Sequence, residues 1–300
     1  LGNFHAQKYA QLENVDLFAV VDSDLERANE IAAKYSTRAA VDYAHVLPEI
    51  DLVSIVVPPS RHYDITFDCL TAGIHTLVEK PVTETVEEAE KLIGLATKLG
   101  RVLQVGHLER FNPAVQALRQ HAKQPQRIEA QRLSVYQSRG TEVDVVLDLM
   151  IHDIDIVLSL VSSELKYISA VGARVVTDHV DIANARLEFE DGAIANVTAS
   201  RVSQNTFRRI RIFGKACYLG LNFRDQQIDA VRPGQPPANG GFAPMLSETI
   251  HVTPRPPLEA ELEHFVQCVR TGEMPLVSGA EGVRALEVAH EVRTRISASL

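Results

Sequence analysis

The chain has 300 residues, 45% hydrophobic and 23% charged, which leaves room for about two domains and excludes a mainly disordered, collagen-like or coiled-coil protein. Its net charge is −9, from 39 acids against 30 bases, so a broad grip on a phosphate backbone is disfavoured. There is no tryptophan and only 6% aromatics, so base-stacking platforms are not expected.

Residues 16–21 (DLFAVV) are an apolar run that ends in Asp22, Ser23 and Asp24. Ala28, Ile31, Ala32 and Tyr35 then recur at helical spacing, which predicts one buried helix face. Residues 51–57 (DLVSIVV) form a second run, stopped by Pro58 and Pro59, with a helix expected over 63–72. Residues 74–79 (IHTLVE) form a third, stopped by Pro81. Thr85 and Glu88 spell a capping box ahead of Ala89, Leu92, Ile93 and Ala96, and Gly100 ends that helix. Residues 101–105 are the last strand of this region. Apolar strands alternating with amphipathic helices imply a doubly wound α/β domain with a parallel sheet. Ligands bind such sheets beyond the carboxyl ends of the strands, here Asp22, Pro58 and Glu79.

The pattern then changes. A helix is expected over 109–121, alternation from Arg127, and a long helix over 143–161. Strands follow over 167–175, 181–189, 193–202, 208–213 and 217–221, with a hairpin turn at Asp191-Gly192. These predict a second, α+β domain with a large open antiparallel sheet, dividing the chain into 1–108 and 109–300. Residues 232–257 are rich in Pro and Gly and read as a long surface loop. Helices over 258–268 and 280–296 close the chain. Ala183, Ala185 and Leu187 call for a cover, which another subunit would partly supply.

No apolar run approaches the roughly 18 residues of a membrane helix, and residues 1–7 do not look like a signal peptide. Cys69, Cys217 and Cys268 are odd in number and far apart, so no disulfide framework is expected and a cytoplasmic setting is.

Three places carry chemistry. A dinucleotide fold receives the pyrophosphate at a glycine turn and helix N-terminus. Leu1 and Gly2 fit the end of such a turn, and Asp22 stands about 20 residues on, where an acid holds the ribose hydroxyls. Asp22, Ser23 and Asp24 would repel a 2′-phosphate and no arginine follows at once, so NAD is favoured over NADP. Alone, Gly2 reads better as an arbitrary glycine, with Asp22 a solvated acid; the strand ending at Asp22 and the βα alternation tip the reading to the cofactor. Glu79-Lys80-Pro81 is the second place. A lysine at that strand end can stabilise developing alkoxide charge, whereas a bare EKP is more often a solvated turn. The peptide before Pro81 is a candidate for cis geometry. Asp148, His152 and Asp155 are the third. Asp148 and His152 are helical neighbours at i, i+4, which suits a general base and its orienting partner. The competing reading is an ordinary surface ion pair. A metal site is not expected, because no cysteine or second histidine motif completes it. His62 is placed by the cofactor crevice, while His5, His107 and the other histidines read as structural or solvated.

Taken together these residues resemble a family. Asp22 after a strand, PPSRH at 58–62, AGIHTLVEKP at 72–81, and Asp148 four residues before His152 occur in this order. They resemble the glucose–fructose oxidoreductase/inositol dehydrogenase (Gfo/Idh/MocA) family over nearly the whole chain, including PLE at 257–259 and SGAEG at 278–282. The resemblance implies a Rossmann domain, an open-sheet α/β domain that builds homodimers or homotetramers, and NAD(P)-linked oxidation of sugar or cyclitol hydroxyls. It assigns catalysis to Lys80, Asp148 and His152, and the cofactor to Leu1, Gly2, Asp22, Ser23, Pro58, Pro59, His62, Glu79 and Lys80. Family members begin with a strand and a full Gly-x-Gly-x-x-Gly turn. This chain opens at the last two residues of that turn, so the central strand, about ten residues with its turn, is expected to be missing from it.

GHLERFNP at 106–113, with Arg139 ahead of the Asp148 helix, is similar to the UDP-N-acetylglucosamine 3-dehydrogenase branch. That implies a nucleotide-sugar substrate, with Arg110, Asn112, Arg139 and Arg201 as candidates around a diphosphate besides Lys80, Asp148 and His152. The alternatives are a cyclitol or free-sugar dehydrogenase and a non-catalytic NAD-binding sensor. Retention of Lys80, Asp148 and His152 together argues against a sensor.

Overall fold

The computed structural model describes residues 1–137, 143–238 and 241–298. In chain order the first elements are α1 (Gly2–Tyr9), β1 (Ala19–Val21), α2 (Leu25–Tyr35), β2 (Arg38–Ala40), β3 (Leu52–Ile55), α3 (His62–Thr71), β4 (His75–Glu79), α4 (Val86–Leu99) and β5 (Leu103–Gly106). Next come α5 (Pro113–His121), β6 (Pro125–Leu133), α6 (Ile151–Leu160), β7 (Leu165–Ala173), β8 (Ile182–Phe189), β9 (Ile194–Ser200), β10 (Phe207–Gly214), β11 (Cys217–Asn222), β12 (Gln227–Pro233) and β13 (Met245–Ile250). The helices α7 (Pro257–Thr271) and α8 (Gly279–Ser297) follow.

Two compact units result. One is Leu1–Phe111 with Pro256–Val283, the other Asn112–Arg255 with Arg284–Leu300. In the first, β1 pairs with β2, and β3, β4 and β5 pair in that order, all parallel. The Thr85–Glu88 capping box starts α4, and Gly100 ends it in the left-handed conformation at φ 62°. The far end of the chain completes this unit. Leu262, Phe265 and Val266 of α7 pack with Tyr9 and Leu77 into one apolar cluster. Ser278 bridges to Gln104 beside β5. A Cβ at Gly282 would fall 2.6 Å from Val105 Cγ2, and one at Gly279 would fall 2.7 Å from Ile93 Cγ1. The SGAEG segment is thus built from residues small enough to lie on β5 and α4.

The second unit is one eight-stranded sheet, ordered β13-β12-β11-β10-β6-β9-β8-β7. Only β6 and β9 run parallel; the other neighbours are antiparallel. One sheet face, with Ile128, Ala130, Val197 and Ile210, packs in a single core with Val115, Ile154, Val157 and Val292. Ala183, Ala185 and Leu187 lie in that core and are at most 1% exposed. Their cover is therefore the chain's own helices, and the expectation that they need a second subunit is corrected. Other sheet positions carry polar pairs, such as Asn184 donating to Thr198 at 2.8 Å and Arg186 to Glu188.

Three further expectations change. The stretch 232–257 is not all loop: β13 pairs with β12 in register from Ile228↔Ile250 to Pro233↔Met245. The helix over 109–121 is a short 3-10 turn, Leu108–Phe111, followed by α5, where the Asn112 side chain accepts from the Ala114 amide. The helix over 143–161 opens with a π-helical turn, Val146–Met150, before α6. Among the described residues no helix is long and apolar enough to cross a membrane.

Candidate active site

The carboxyl ends of the strands in the first unit gather the expected groups. Asp22 follows β1, and its amide donates to the carbonyl of Ala40. Its Oδ1 accepts from the Asp24 amide at 3.0 Å. Asp24 is the N-cap of α2, accepting from the amides of Glu26 and Arg27. An arginine does stand here: Arg27 lies 3.5 Å from Asp22 Oδ2 and 3.6 Å from Asp24 Oδ2. That corrects the expectation of two uncompensated carboxylates. Ser23 is exposed, Pro58 is exposed, and Pro59 is half-buried in a 3-10 turn ahead of α3.

Leu1 provides no side-chain cap for α1, and a Cβ on Gly2 would meet nothing within 4 Å. The amides of Phe4 and His5 bond the Leu1 carbonyl, and the N-terminus of α1 is its positive dipole end. His5, in the first turn, is 3% exposed, and its Nδ1 has no partner among the described residues. Its Nε2 donates to Glu79 Oε1 at 3.1 Å. Sequence reasoning missed this role: a lone histidine early in a helix carries no signal, and only the fold brings it to the end of β4.

Lys80 is half-buried at the end of β4, and the Lys80–Pro81 peptide is cis, as the tight turn suggested. His62 is 1% exposed, with Nδ1 2.7 Å from the Pro81 carbonyl oxygen and Nε2 2.9 Å from that of Val57. Both ring nitrogens lie against the protein's own backbone carbonyls, and whichever carries the proton donates to one of them. Burial, and after it the charges of Lys80 and Arg110, push His107 down to about 3, so it stays neutral beside the lysine.

Arg110 is 4% exposed, donates to the Leu276 carbonyl and lies 3.9 Å from Glu281 Oε2. In the second unit, Asp148 sits in the π-helical turn and His152 in the first turn of α6, both half-buried. Turns of this kind recur at functional sites, because they re-aim a side chain out of helical register. Asp153, next to His152, forms a buried pair with Arg132 through bonds of 3.1 and 2.9 Å. Arg201 is 5% exposed, donates to the Val143 carbonyl and stands 3.9 Å from Asp181. Asn112 accepts from the Ala114 amide at the start of α5. Arg139 lies outside the described residues. Burial raises the Cys69 thiol to about 12 and also raises that of Cys268, so neither is a thiolate nucleophile.

Residues 1–107 match the model of an oxidoreductase family with an NAD-binding Rossmann fold, and residues 114–219 match the GFO/IDH/MocA C-terminal domain. The chain is 38% identical over 301 residues to the UDP-N-acetylglucosamine 3-dehydrogenase of Acidithiobacillus ferrooxidans, covering 100% of this chain and 95% of that one. The chain belongs to the GFO/IDH/MocA oxidoreductase family. A solved structure of that Acidithiobacillus enzyme superposes with a TM-score of 0.93 at 38% identity, covering 99% of this chain and 94% of that one. A more distant member, the NAD(+)-dependent scyllo-inositol 2-dehydrogenase of Bacillus subtilis, is 28% identical over 96% of this chain and 89% of its own.

As a GFO/IDH/MocA protein, the chain is an oxidoreductase whose first unit carries an NAD-binding Rossmann domain. The residues present fit NAD. The start of α1 is a helix N-terminus suited to a pyrophosphate, Asp22 offers acceptors to ribose hydroxyls, and Glu79 and Lys80 stand at the strand end bonded to α1 through His5.

Proposed function

We propose that this chain oxidises a hydroxyl of a sugar, at C3 of a UDP-N-acetylhexosamine, with NAD. The observation that carries this reading is the 38% identity to a UDP-N-acetylglucosamine 3-dehydrogenase across the whole chain. The presence of Lys80, Asp148 and His152 supports it. NAD, when bound, supplies the hydride acceptor.

The chain's residues do the rest. His152 takes the proton of the reacting hydroxyl, since an imidazole is the side chain best matched to that task near neutral pH. Asp148 orients and polarises the imidazole. Lys80 donates to the substrate oxygen and stabilises alkoxide charge as the proton leaves. Leu1, Gly2, Asp22, Ser23, Pro58, Pro59, Glu79 and Lys80 surround the cofactor, with His62 held behind them against backbone carbonyls. With Arg110 and Asn112 engaged inside their own units, Arg139 carries the diphosphate part of the reading. A homodimer or homotetramer in the cytoplasm belongs to the same reading; light scattering at micromolar protein tests the assembly, and a monomer removes it.

The deciding experiment mixes the protein, NAD and a panel of UDP-sugars, free sugars and cyclitols and follows absorbance of the reduced nicotinamide. A UDP-N-acetylhexosamine is expected to give the highest kcat/KM. Arg139→Ala is expected to weaken that substrate by about 1.5–3 kcal/mol per lost charge-assisted bond and to leave a free sugar nearly unchanged. Better turnover of myo-inositol or glucose than of any UDP-sugar overturns the substrate and leaves the family intact. No reduction with any sugar leaves the sensor reading.

A further inference from the structure

Lys80 is the first residue beyond β4, and a buried histidine holds the residue on each side of it. Before it, Glu79 accepts from His5 of α1 at 3.1 Å. After it, the Pro81 carbonyl oxygen lies 2.7 Å from His62 Nδ1, at the start of α3. Nε2 of the same ring lies 2.9 Å from the Val57 carbonyl oxygen, in the loop that follows β3. His5, His62 and Glu79 are 3%, 1% and 5% exposed, so water does not compete for these bonds. Glu79 is fixed from behind as well. It pairs with Gly106 of β5, where a Cβ would fall 2.9 Å from Glu79 Oε2.

We propose that His5 and His62 are positioning residues for Lys80: they fix the chain on both sides of it, so that its amine meets the substrate oxygen in one orientation. This rests on the role given to Lys80 above. A catalytic group misplaced by about 1 Å costs on the order of 100-fold in rate, and a peptide bounded by two side-chain anchors cannot drift that far. The same contacts tie the residues on either side of Lys80 to α1 and to the loop after β3.

The test is a double-mutant cycle with chemically matched controls. His62→Leu removes both bonds. His62→Asn places an amide N–H where Nδ1 stood, within reach of the Pro81 carbonyl. His5→Leu and His5→Gln form the same contrast at Glu79. His62→Leu is expected to lower kcat by roughly 10- to 100-fold, with NADH affinity by fluorescence titration within about threefold of the parent. His62→Asn is expected to recover most of the loss. In a Lys80→Ala background, where residual turnover is read at high enzyme concentration, His62→Leu is expected to cost nothing more. Where His62→Leu fails to fold by thermal melting, the His5 pair is read on the same criteria. Two results overturn the proposal: an equal loss with and without Lys80, or asparagine no better than leucine in variants that melt like the parent. Parental turnover in Lys80→Ala itself overturns the role of the lysine, and so fails in a distinguishable way.

Discussion

Buried polar groups are handled differently in the two units. In the second, three buried acids face arginines: Asp153 meets Arg132, Asp144 meets Arg293, and Asp181 lies near Arg201. In the first, histidines hold the end of β4: His5 on Glu79 and His62 on the Pro81 carbonyl. A guanidinium is always charged and binds a carboxylate as a fork, which suits a permanent tie within a core. An imidazole is small, rigid and able to hold a carboxylate or a carbonyl, which suits fine placement of a neighbouring reactive group. The comparison teaches that residue type alone does not reveal a ligand. Arg110 and Arg201 look like diphosphate ligands in the sequence, yet each is buried against a backbone carbonyl of its own unit.

The largest expected effect concerns Asp148 and His152 in the second unit, which lie outside that arginine scheme. His152→Ala should lower kcat by roughly 10²–10⁴-fold, about 3–5 kcal/mol of barrier, with NAD affinity unchanged. Its pH–rate profile should lose the limb that rises through neutrality. An unchanged rate and profile make the helix structural. Arg132→Ala should be the next largest, and purely a stability effect. It leaves Asp153 buried without its partner, a loss of about 3–5 kcal/mol in urea unfolding. A midpoint like that of the parent shows that this pair is not the tie described.

Asp181 gives a smaller effect with a defined pH direction. Burial, the largest influence, pushes its carboxyl up. Bonds from the amides of Val175, Val176 and Thr177 and from the Thr177 hydroxyl outweigh it and hold it at about 2. The folded value lies below the ordinary carboxylate value of about 4, so the folded state gains from the charged form. That stability is complete above about pH 4 and is lost as pH falls from there towards about 2. Urea midpoints measured across this window should fall, and Asp181→Asn should flatten this part of the fall while lowering stability at neutral pH. Parallel curves for the two proteins contradict the assignment.

What the sequence made legible was local. The Thr85–Glu88 box, the Gly100 stop, the turn at Asp191-Gly192 and the strands ending at Asp22 and Glu79 all rest on short-range chemistry. β13 was invisible because its side chains are mostly exposed on a sheet edge, so no apolar period marks it. The π-helical turn at Asp148 has no sequence signature of its own. The amphipathic face of α7 shows that it packs, but not that it packs with Tyr9 and Leu77 at the other end of the chain. Of the candidate site, Lys80 and His152 were legible as residue types in motifs. His5 was not, because its partner is 74 residues away.

The smallest effect separates charge from stability at the start of α2. Arg27 is 64% exposed in its side chain and sits 3.5 Å from Asp22, so the pair should contribute at most about 1 kcal/mol. Arg27→Ala should therefore leave the urea midpoint nearly unchanged. Its effect should appear in cofactor choice. In the proposed reading Asp22 accepts from ribose hydroxyls and repels a 2′-phosphate, so the parent should prefer NAD, and Asp22→Ala should narrow or reverse that preference. Arg27 partly neutralises the same carboxylate and is the cation available to a 2′-phosphate. Arg27→Ala should therefore sharpen the preference for NAD by weakening NADP more than NAD. Titrating both cofactors against the parent and the two variants, at low and high salt, checks all three statements. The charge effects should shrink as salt rises, because both side chains reach solvent. Equal affinity of the parent for NAD and NADP removes Asp22 from the ribose site, and Arg27→Ala then has no reason to favour either cofactor.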